Sequence, residues 1–360
     1  MQYGAIPTNL FERLALWTGK VPLPVMDSLF SIMKARGLMA AVSLGIFDAL
    51  ATNSKSAQEL AHELDLDLTS LELLLRCMVW CGYLEQAGDR YTLSQLSRNT
   101  MLHQSKMDLT AFVKWNYVQW RMVEQLEQVL KTGRGADFHS TMTDPNEWSW
   151  YQEAMLEIAR FDAPLLAKCV PVRPGASKLL DLAGSHGLLG AAICRRHPPM
   201  RSLVVDLPSA IEQVQTLSIR EGIADIVEYR SGDIRTSDLG RENDVVLLAN
   251  ILHHFLPEQN SATIRRIRGC VPVDGTIAIW DLETPDPQSP PSEGDGAALF
   301  FRLTSSALCY SGKQYAGWLR DAGFDRIRII RPRLRPGYIL VVGRAPTIQT
   351  EKLTKESAKK

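Results

Sequence analysis

The sequence predicts two domains: a helical first third ending in a small β-hairpin, then an α/β half built on a mostly parallel sheet covered on both faces. Three observations carry that prediction. From Ala176 to about Arg344, continuous apolar runs alternate with helix-period segments, the pattern of parallel strands joined by helical crossovers. The first run, KLLDLAGSHG from Lys178 to Gly187, ends in an acidic residue and a turn of small residues. Acidic residues recur with the later runs: Asp206 in LVVDLP, Asp233 in SGDI and Asp244 opening DVVLLANILHHF. A strand that empties into a small-residue loop lets backbone N–H groups and a helix N-terminus approach a ligand, and an acidic residue after the next strand suits a ribose diol. The implied class is a nucleoside-binding α/β domain.

The N-terminal elements follow in order. MDSLFSIMKARGLMAAVSLGIFDAL carries Leu, Met and Ala at helical spacing and reads as one or two helices. SAQELAHELDL and LTSLELLLRCMVWCGYL come next, each opened by a Ser or Thr with Glu three residues on: Ser56 with Glu59, Thr69 with Glu72. Those are capping-box patterns. GYLEQAGDRYTLS alternates around a Gly-Asp pair, as a hairpin does. Helices followed by a hairpin make a winged helix, which raises DNA binding. Up to residue 110, however, nine Lys and Arg face eleven Asp and Glu, and Arg76 is the one basic residue of LELLLRCMVWCGYL. Groove reading needs polar and basic side chains. A helix apolar nearly all round predicts burial instead, here in a homodimer interface.

Residues from about Asp108 to Cys169 read as helical and aromatic, with Trp115, Tyr117, Trp120, Trp148, Trp150, Tyr151 and Phe161. Packing between domains accounts for most of them. Some are expected to wall a pocket for a flat ligand. Strands then fall at SKLLDLA, SLVVDL, IVEYRS, DVVLLAN, GTIAIWDLE, DRIRIIRP and GYILVVGR, with helices at LLGAAICRRH, SAIEQVQTLSIREG, SATIRRIRGCV and SGKQYAGWLRDAG. The last two strands are too close for a helical crossover and should pair antiparallel. The charged tail EKLTKESAKK is expected to be disordered.

Composition limits the function. Forty Lys and Arg balance forty Asp and Glu, so no strongly basic surface for nucleic acid is expected. No apolar stretch approaches the ~20 residues that span a bilayer, and MQYGAIPTNLFERL lacks the form of a secretory signal. The six cysteines are scattered with no CxxC or Cys/His cluster. That fits reduced thiols in a cytoplasmic protein and no metal site.

In this order the motifs resemble the class I S-adenosylmethionine-dependent methyltransferases, and within them the dimeric O-methyltransferases of plant phenolic and bacterial natural-product metabolism. The resemblance covers nearly the whole chain, through WRMVEQLEQVLKTG, YQEAM, LLDLAGSHG, VVDLP, SGDI, ILHHF and LRDAGF. It implies a winged-helix dimerisation domain over 1–107, a helical linker over 108–170 that contributes to the substrate pocket, a Rossmann-like cofactor domain over 171–346, and a tail over 347–360. The domain's sheet would be seven-stranded and mostly parallel with an antiparallel last strand. S-adenosyl-L-methionine is the implied cofactor. The family's glycine loop reads DxGxGxG; here Asp181, Gly184 and Gly187 stand, with Ala183 and Ser185 where glycines are usual. A backbone that needs positive φ there would be strained. Asp206, followed by Leu207, would hold both ribose hydroxyls, and Asp233 with Ile234 would meet the adenine. Ala249 stands where relatives place Lys or Arg, and Asn250 would replace part of that contact.

The chemistry follows from the same resemblance. Methyl transfer from a sulfonium needs alignment and an unprotonated nucleophile. For a phenol of pKa ~10, a neutral imidazole takes the proton as oxygen attacks. His253 aligns with the family's catalytic histidine, and His254 falls where an acidic residue is usual. Asp281 matches the first of two acidic partners; Cys309 stands where the second should be. That departure leaves carbon or nitrogen methylation, or a non-methylating use of bound cofactor, as alternatives. A winged-helix ligand-sensing regulator is the alternative outside enzymes. Met155, Trp148, Tyr151, His254 and Cys309 are the candidate acceptor contacts, with residues 290–310 as a substrate lid. The expected reaction is methylation of a hydroxyl on a small aromatic or polyketide-like natural product.

Overall fold

The computed structural model describes residues 4–346, apart from 104, 106, 136–141, 143, 285–287, 289, 290, 292, 306 and 307. The expected disordered tail, 347–360, lies outside the described residues, as does part of the expected lid. The chain forms two compact units that divide at Gln119 and Trp120. No helix of the described residues is long and apolar enough to cross a membrane.

In the first unit, helices Ser31–Ser43, Ala57–Leu64 and Leu68–Trp80 pack around Phe47, Leu60, Leu75 and Met78. Strands β2 (Leu84–Ala87) and β3 (Arg90–Leu93) form the hairpin that the Gly-Asp pair predicts, and a two-residue β1 (Lys55–Ser56) pairs with β3. Ser56 and Glu59 make the reciprocal capping box. The second expected cap is corrected: Leu68–Trp80 starts one residue before Thr69, and Asp67 caps it by accepting from the Ser70 N–H at 2.8 Å. Asp is as good an N-cap as Thr or better, so the earlier carboxylate sets the start. The same helix buries Leu71, Leu75 and Met78 but leaves Leu73 and Trp80 about two-thirds exposed.

The second unit is built on seven strands: β4 (Lys178–Leu182), β5 (Arg201–Asp206), β6 (Val227–Ser231), β7 (Val245–Ala249), β8 (Thr276–Leu282), β9 (Asp325–Ile330) and β10 (Tyr338–Arg344). Their spatial order is β6-β5-β4-β7-β8-β10-β9. β10 runs antiparallel to both neighbours, and the pairs from β6 to β8 are parallel. The central strands serve two cores at once. Val245 and Leu247 of β7 pack with Leu156, Ala159 and Ile193 on one face, while Val246 and Leu248 pack with Ile264, Ile267 and Leu319 on the other. This explains the unbroken apolar run VVLLA of β7, since side chains that alternate between two covered faces all enter a core. Chain order reverses around β4, whose neighbours are β5 and β7. The crevice at such a switch point is where open α/β sheets take their ligands. Asp244 sits at the other end of β7, where it accepts from Ser177 N–H, Lys178 N–H and Arg173 and anchors the start of β4.

Candidate active site

A cavity of about 380 Å³ opens at the carboxyl ends of the strands. Of the sequence-predicted residues, Trp148, Tyr151, Ser185, Asp206, Leu207, Asp233, Ile234, Asn250 and His254 line it. Asp181, Gly184, Gly187, Met155, His253, Asp281 and Cys309 lie outside its wall.

The loop after β4 explains part of that division. Ala183 (φ 56°), Ser185 (φ 49°) and Gly187 (φ 75°) are all left-handed, so the two non-glycine residues stand in a backbone that costs roughly 1–2 kcal/mol each. Gly184 is required for a different reason: a Cβ there would lie 2.4 Å from the Asp181 carboxyl carbon. Asp181 is fully buried beneath the loop. Burial pushes its carboxyl up to about 7, the Asp206 charge acts in the same direction, and the Gly190 N–H opposes them. Gly187 packs against Val227, Val204 and Tyr229. These three residues therefore shape the loop from behind. Ser185 ties its tip: its N–H donates to Asp206 Oδ2 at 2.9 Å and its hydroxyl donates to Gln152 Oε1.

Asp206 ends β5 facing the cavity, and its Oδ1 accepts from the Leu207 N–H at 2.7 Å. Burial raises its pKa against the pull of the Leu207 and Ser185 N–H groups. Asp233 is held low, first by the Arg235 side chain, which forks onto both carboxylate oxygens at 2.7–3.1 Å and lies 5.3 Å from the Phe255 ring centre. Asn250 is left-handed (φ 55°), and its buried Oδ1 has no hydrogen-bond partner. Trp148 donates its indole N–H to Met142 O at 3.0 Å and meets Tyr151 edge-on, ring centres 5.9 Å apart.

Beside the cavity, the turn Leu252–His254 follows β7. His253 is 2 % exposed, and its Nδ1 lies 2.5 Å from Asp281 Oδ1. Asp281, at the end of β8, also accepts from the Leu252 N–H (3.1 Å) and the Leu282 N–H (2.8 Å). A carboxylate so placed accepts, so in this pair Nδ1 is the nitrogen that carries the proton. Asn260 braces the turn by donating to Leu252 O and Phe255 O, and Tyr310 donates its phenol to Phe255 O. Phe301, on helix Glu293–Thr304 within the expected lid, packs 4.2 Å from the His253 ring centre. Cys309 is buried, and burial first, then the Asp281 charge, pushes its thiol up to about 12. It stays neutral and cannot supply the second negative charge.

The sequence reading missed Gln152, Arg235, Phe255 and Gln259, which all line the cavity, while Thr304 and Ser305 line it from within the expected lid segment. A signal existed for Gln152: it sits one helical turn before Leu156 on a stripe continued by Ala159, Ala163 and Leu166. A polar residue there is out of pattern.

Strand order, the antiparallel last strand and the small-residue loop after the central strand define the class: a Rossmann-like class I methyltransferase. Residues 115–325 match the O-methyltransferase domain and residues 26–103 the O-methyltransferase dimerisation domain, so the chain belongs to the O-methyltransferase family, whose cofactor is S-adenosylmethionine. It is 26 % identical over 316 residues to the 3-hydroxy-5-methyl-1-naphthoate 3-O-methyltransferase of Streptomyces sahachiroi, covering 86 % of this chain and 91 % of that one. It is 27 % identical over 306 residues to the N,N-dimethyltransferase OxyT of Streptomyces rimosus, covering 82 % and 88 %. Human N-acetylserotonin methyltransferase, solved in complex with SAM, shares the fold with a TM-score of 0.79 at 18 % identity, covering 96 % and 100 %.

The residues present fit that cofactor. Gly232 stands in the cavity wall, where a Cβ would fall 2.4 Å from the Ser237 hydroxyl, so the backbone there admits no side chain without a shift of Ser237. Asp206 offers a carboxylate to a diol, Leu207 and Ile234 offer apolar walls to a flat base, and the Asn250 oxygen offers an acceptor that lacks a donor.

Proposed function

We propose that this chain transfers a methyl group to a hydroxyl of a small aromatic or polyketide-like natural product, with His253 as general base and Asp281 as its orienting partner. The observation that carries this reading is the His253 Nδ1 contact to Asp281 at the carboxyl ends of two neighbouring central strands, beside the cavity. When bound, S-adenosylmethionine supplies an electrophilic methyl group. Asp206 would hold the ribose hydroxyls, Asp233 and Ile234 the adenine, and the backbone at Ser185 with Asn250 the remainder. Trp148, Tyr151 and Phe255 supply aromatic walls for the acceptor ring. The acceptor hydroxyl gives its proton to His253 Nε2 as its oxygen attacks. The imidazolium so formed keeps its Nδ1–H on Asp281, whose charge offsets the new positive one.

The test pairs calorimetry with turnover. His253→Ala should bind S-adenosylhomocysteine as the parent does and lose about 10²–10⁴-fold in kcat. Unchanged turnover removes His253 from the mechanism.

A second reading, nitrogen or carbon methylation, draws on Cys309, whose neutral thiol leaves the base with a single acidic partner, and on the likeness to OxyT. Fragment masses of the product locate the new methyl and separate the readings. We assign residues 1–107 to dimerisation, 108–170 to a linker that helps form the acceptor pocket and 171–346 to the cofactor domain. The chain is read as a cytoplasmic homodimer. The dimerisation-domain match and the exposed Leu73 and Trp80 support its assembly, and six free cysteines suit a reducing compartment.

A further inference from the structure

We propose that Gln152 is a positioning residue of the cofactor site, acting through Ser185 as a pair that stands in for a missing loop glycine. This rests on the reading that the cavity takes S-adenosylmethionine.

Ser185 occupies a position where the DxGxGxG pattern has glycine, and its backbone is left-handed at φ 49°. An L-residue persists there only when its surroundings over-determine it. The determinants are visible. The Ser185 N–H is held by Asp206 Oδ2 at 2.9 Å, and the Ser185 hydroxyl by Gln152 Oε1. Gln152 is 1 % exposed, and its Nε2 is buried with no hydrogen-bond partner. A buried amide with an unsatisfied N–H₂ is costly, and a Leu or Met would suit that apolar stripe better. What Gln152 offers there is its carbonyl oxygen, given to Ser185.

The chain of contacts runs Gln152 to Ser185 to Asp206. It fixes the loop tip and one oxygen of the carboxylate that faces the cavity. A glycine at 185 would need no such clasp, because it adopts positive φ freely. The two side chains are therefore expected to act as one unit. Gln152 matters only while residue 185 carries a hydroxyl.

Calorimetry with S-adenosylhomocysteine on the full chain tests this. Gln152→Leu and Ser185→Ala should each weaken affinity about five- to tenfold, the worth of one positioned hydrogen bond. The double variant should lose no more than either single one. In a Ser185→Gly background, Gln152→Leu should change affinity less than about twofold. KM for the cofactor should rise while kcat holds within about threefold. Should Gln152→Leu fail to fold, Ser185→Ala, which removes a single oxygen, carries the test. The pairing is overturned by Ser185→Ala binding as the parent does. Losses that multiply in the double variant, or survive in the Ser185→Gly background, also overturn it. A parent chain that gives no heat at all sinks the cofactor reading, and this assignment with it; a parent that binds while the variants match it sinks this assignment alone.

Discussion

Ala183 carries the loop's strain without any side-chain partner to hold it. Its methyl sits on a left-handed backbone (φ 56°), pinned by its own N–H to Val205 O at 2.8 Å. Ala183→Gly relieves that strain but enlarges the unfolded ensemble, and the first effect is the larger. The variant should gain up to about 1 kcal/mol in urea unfolding; a loss would mean that the loop is not left-handed there. Asp181 gives a pH prediction. Its folded pKa of about 7 lies above the unfolded value near 3.8. The folded state therefore binds the proton more tightly, and the stability this provides is complete below about pH 4 and lost as pH rises through 7. Asp181→Asn should flatten that fall. Comparing denaturant midpoints of the two proteins at pH 5.5 and 8 checks it, and equal slopes would refute the raised pKa. The sequence announced the identity of these residues but not their orientation. Asp181 reads as a ligand contact in a motif; only the packing of Gly184 and Gly190 against its carboxyl shows it facing away.

Elements were more legible than sites. The seven strands and most of their helices stand where apolar runs and helical periods put them, most plainly at central strands such as β7, where burial on both faces leaves composition no latitude. Helix starts were less legible where two signals competed. Asp67 and Thr69 both look like caps, and one contact to the Ser70 N–H decides between them. Asp67→Ala should then cost about 1 kcal/mol, whereas Thr69→Ala should cost less than half of that; urea titration of both variants orders them. Helix Pro145–Cys169 illustrates what periodicity hides. It buries Leu156 and Leu166 in one core while turning Trp148, Tyr151 and Gln152 to the cavity. A motif such as YQEAM names the helix without saying which of its residues faces the ligand.

At the scale of the whole molecule, the first unit leaves several large apolar side chains open to water. Phe11, Trp17, Leu73 and Trp80 are each at least about two-thirds exposed in the single chain. A homodimer built there predicts that Trp80→Glu lowers the mass seen by light scattering toward that of one chain, with the cofactor unit still folded. A parent mass of about 40 kDa would remove the dimer. The near-zero net charge made nucleic acid an unpromising partner from the start, but it said nothing of this surface, which depends on which apolar residues the unit leaves uncovered.

The strand order also has a biosynthetic corollary. β9 pairs in the sheet only through β10, and β10 is the later of the two to leave the ribosome. Until residues 338–344 emerge, the hydrogen-bonding edge of β8 is bare and β9 has nothing to zip against. From the emergence of β8 at Leu282 until Tyr338 of β10 follows, the nascent protein therefore carries an unfinished, sticky border. It is during that interval, rather than after release, that a chaperone has most to protect.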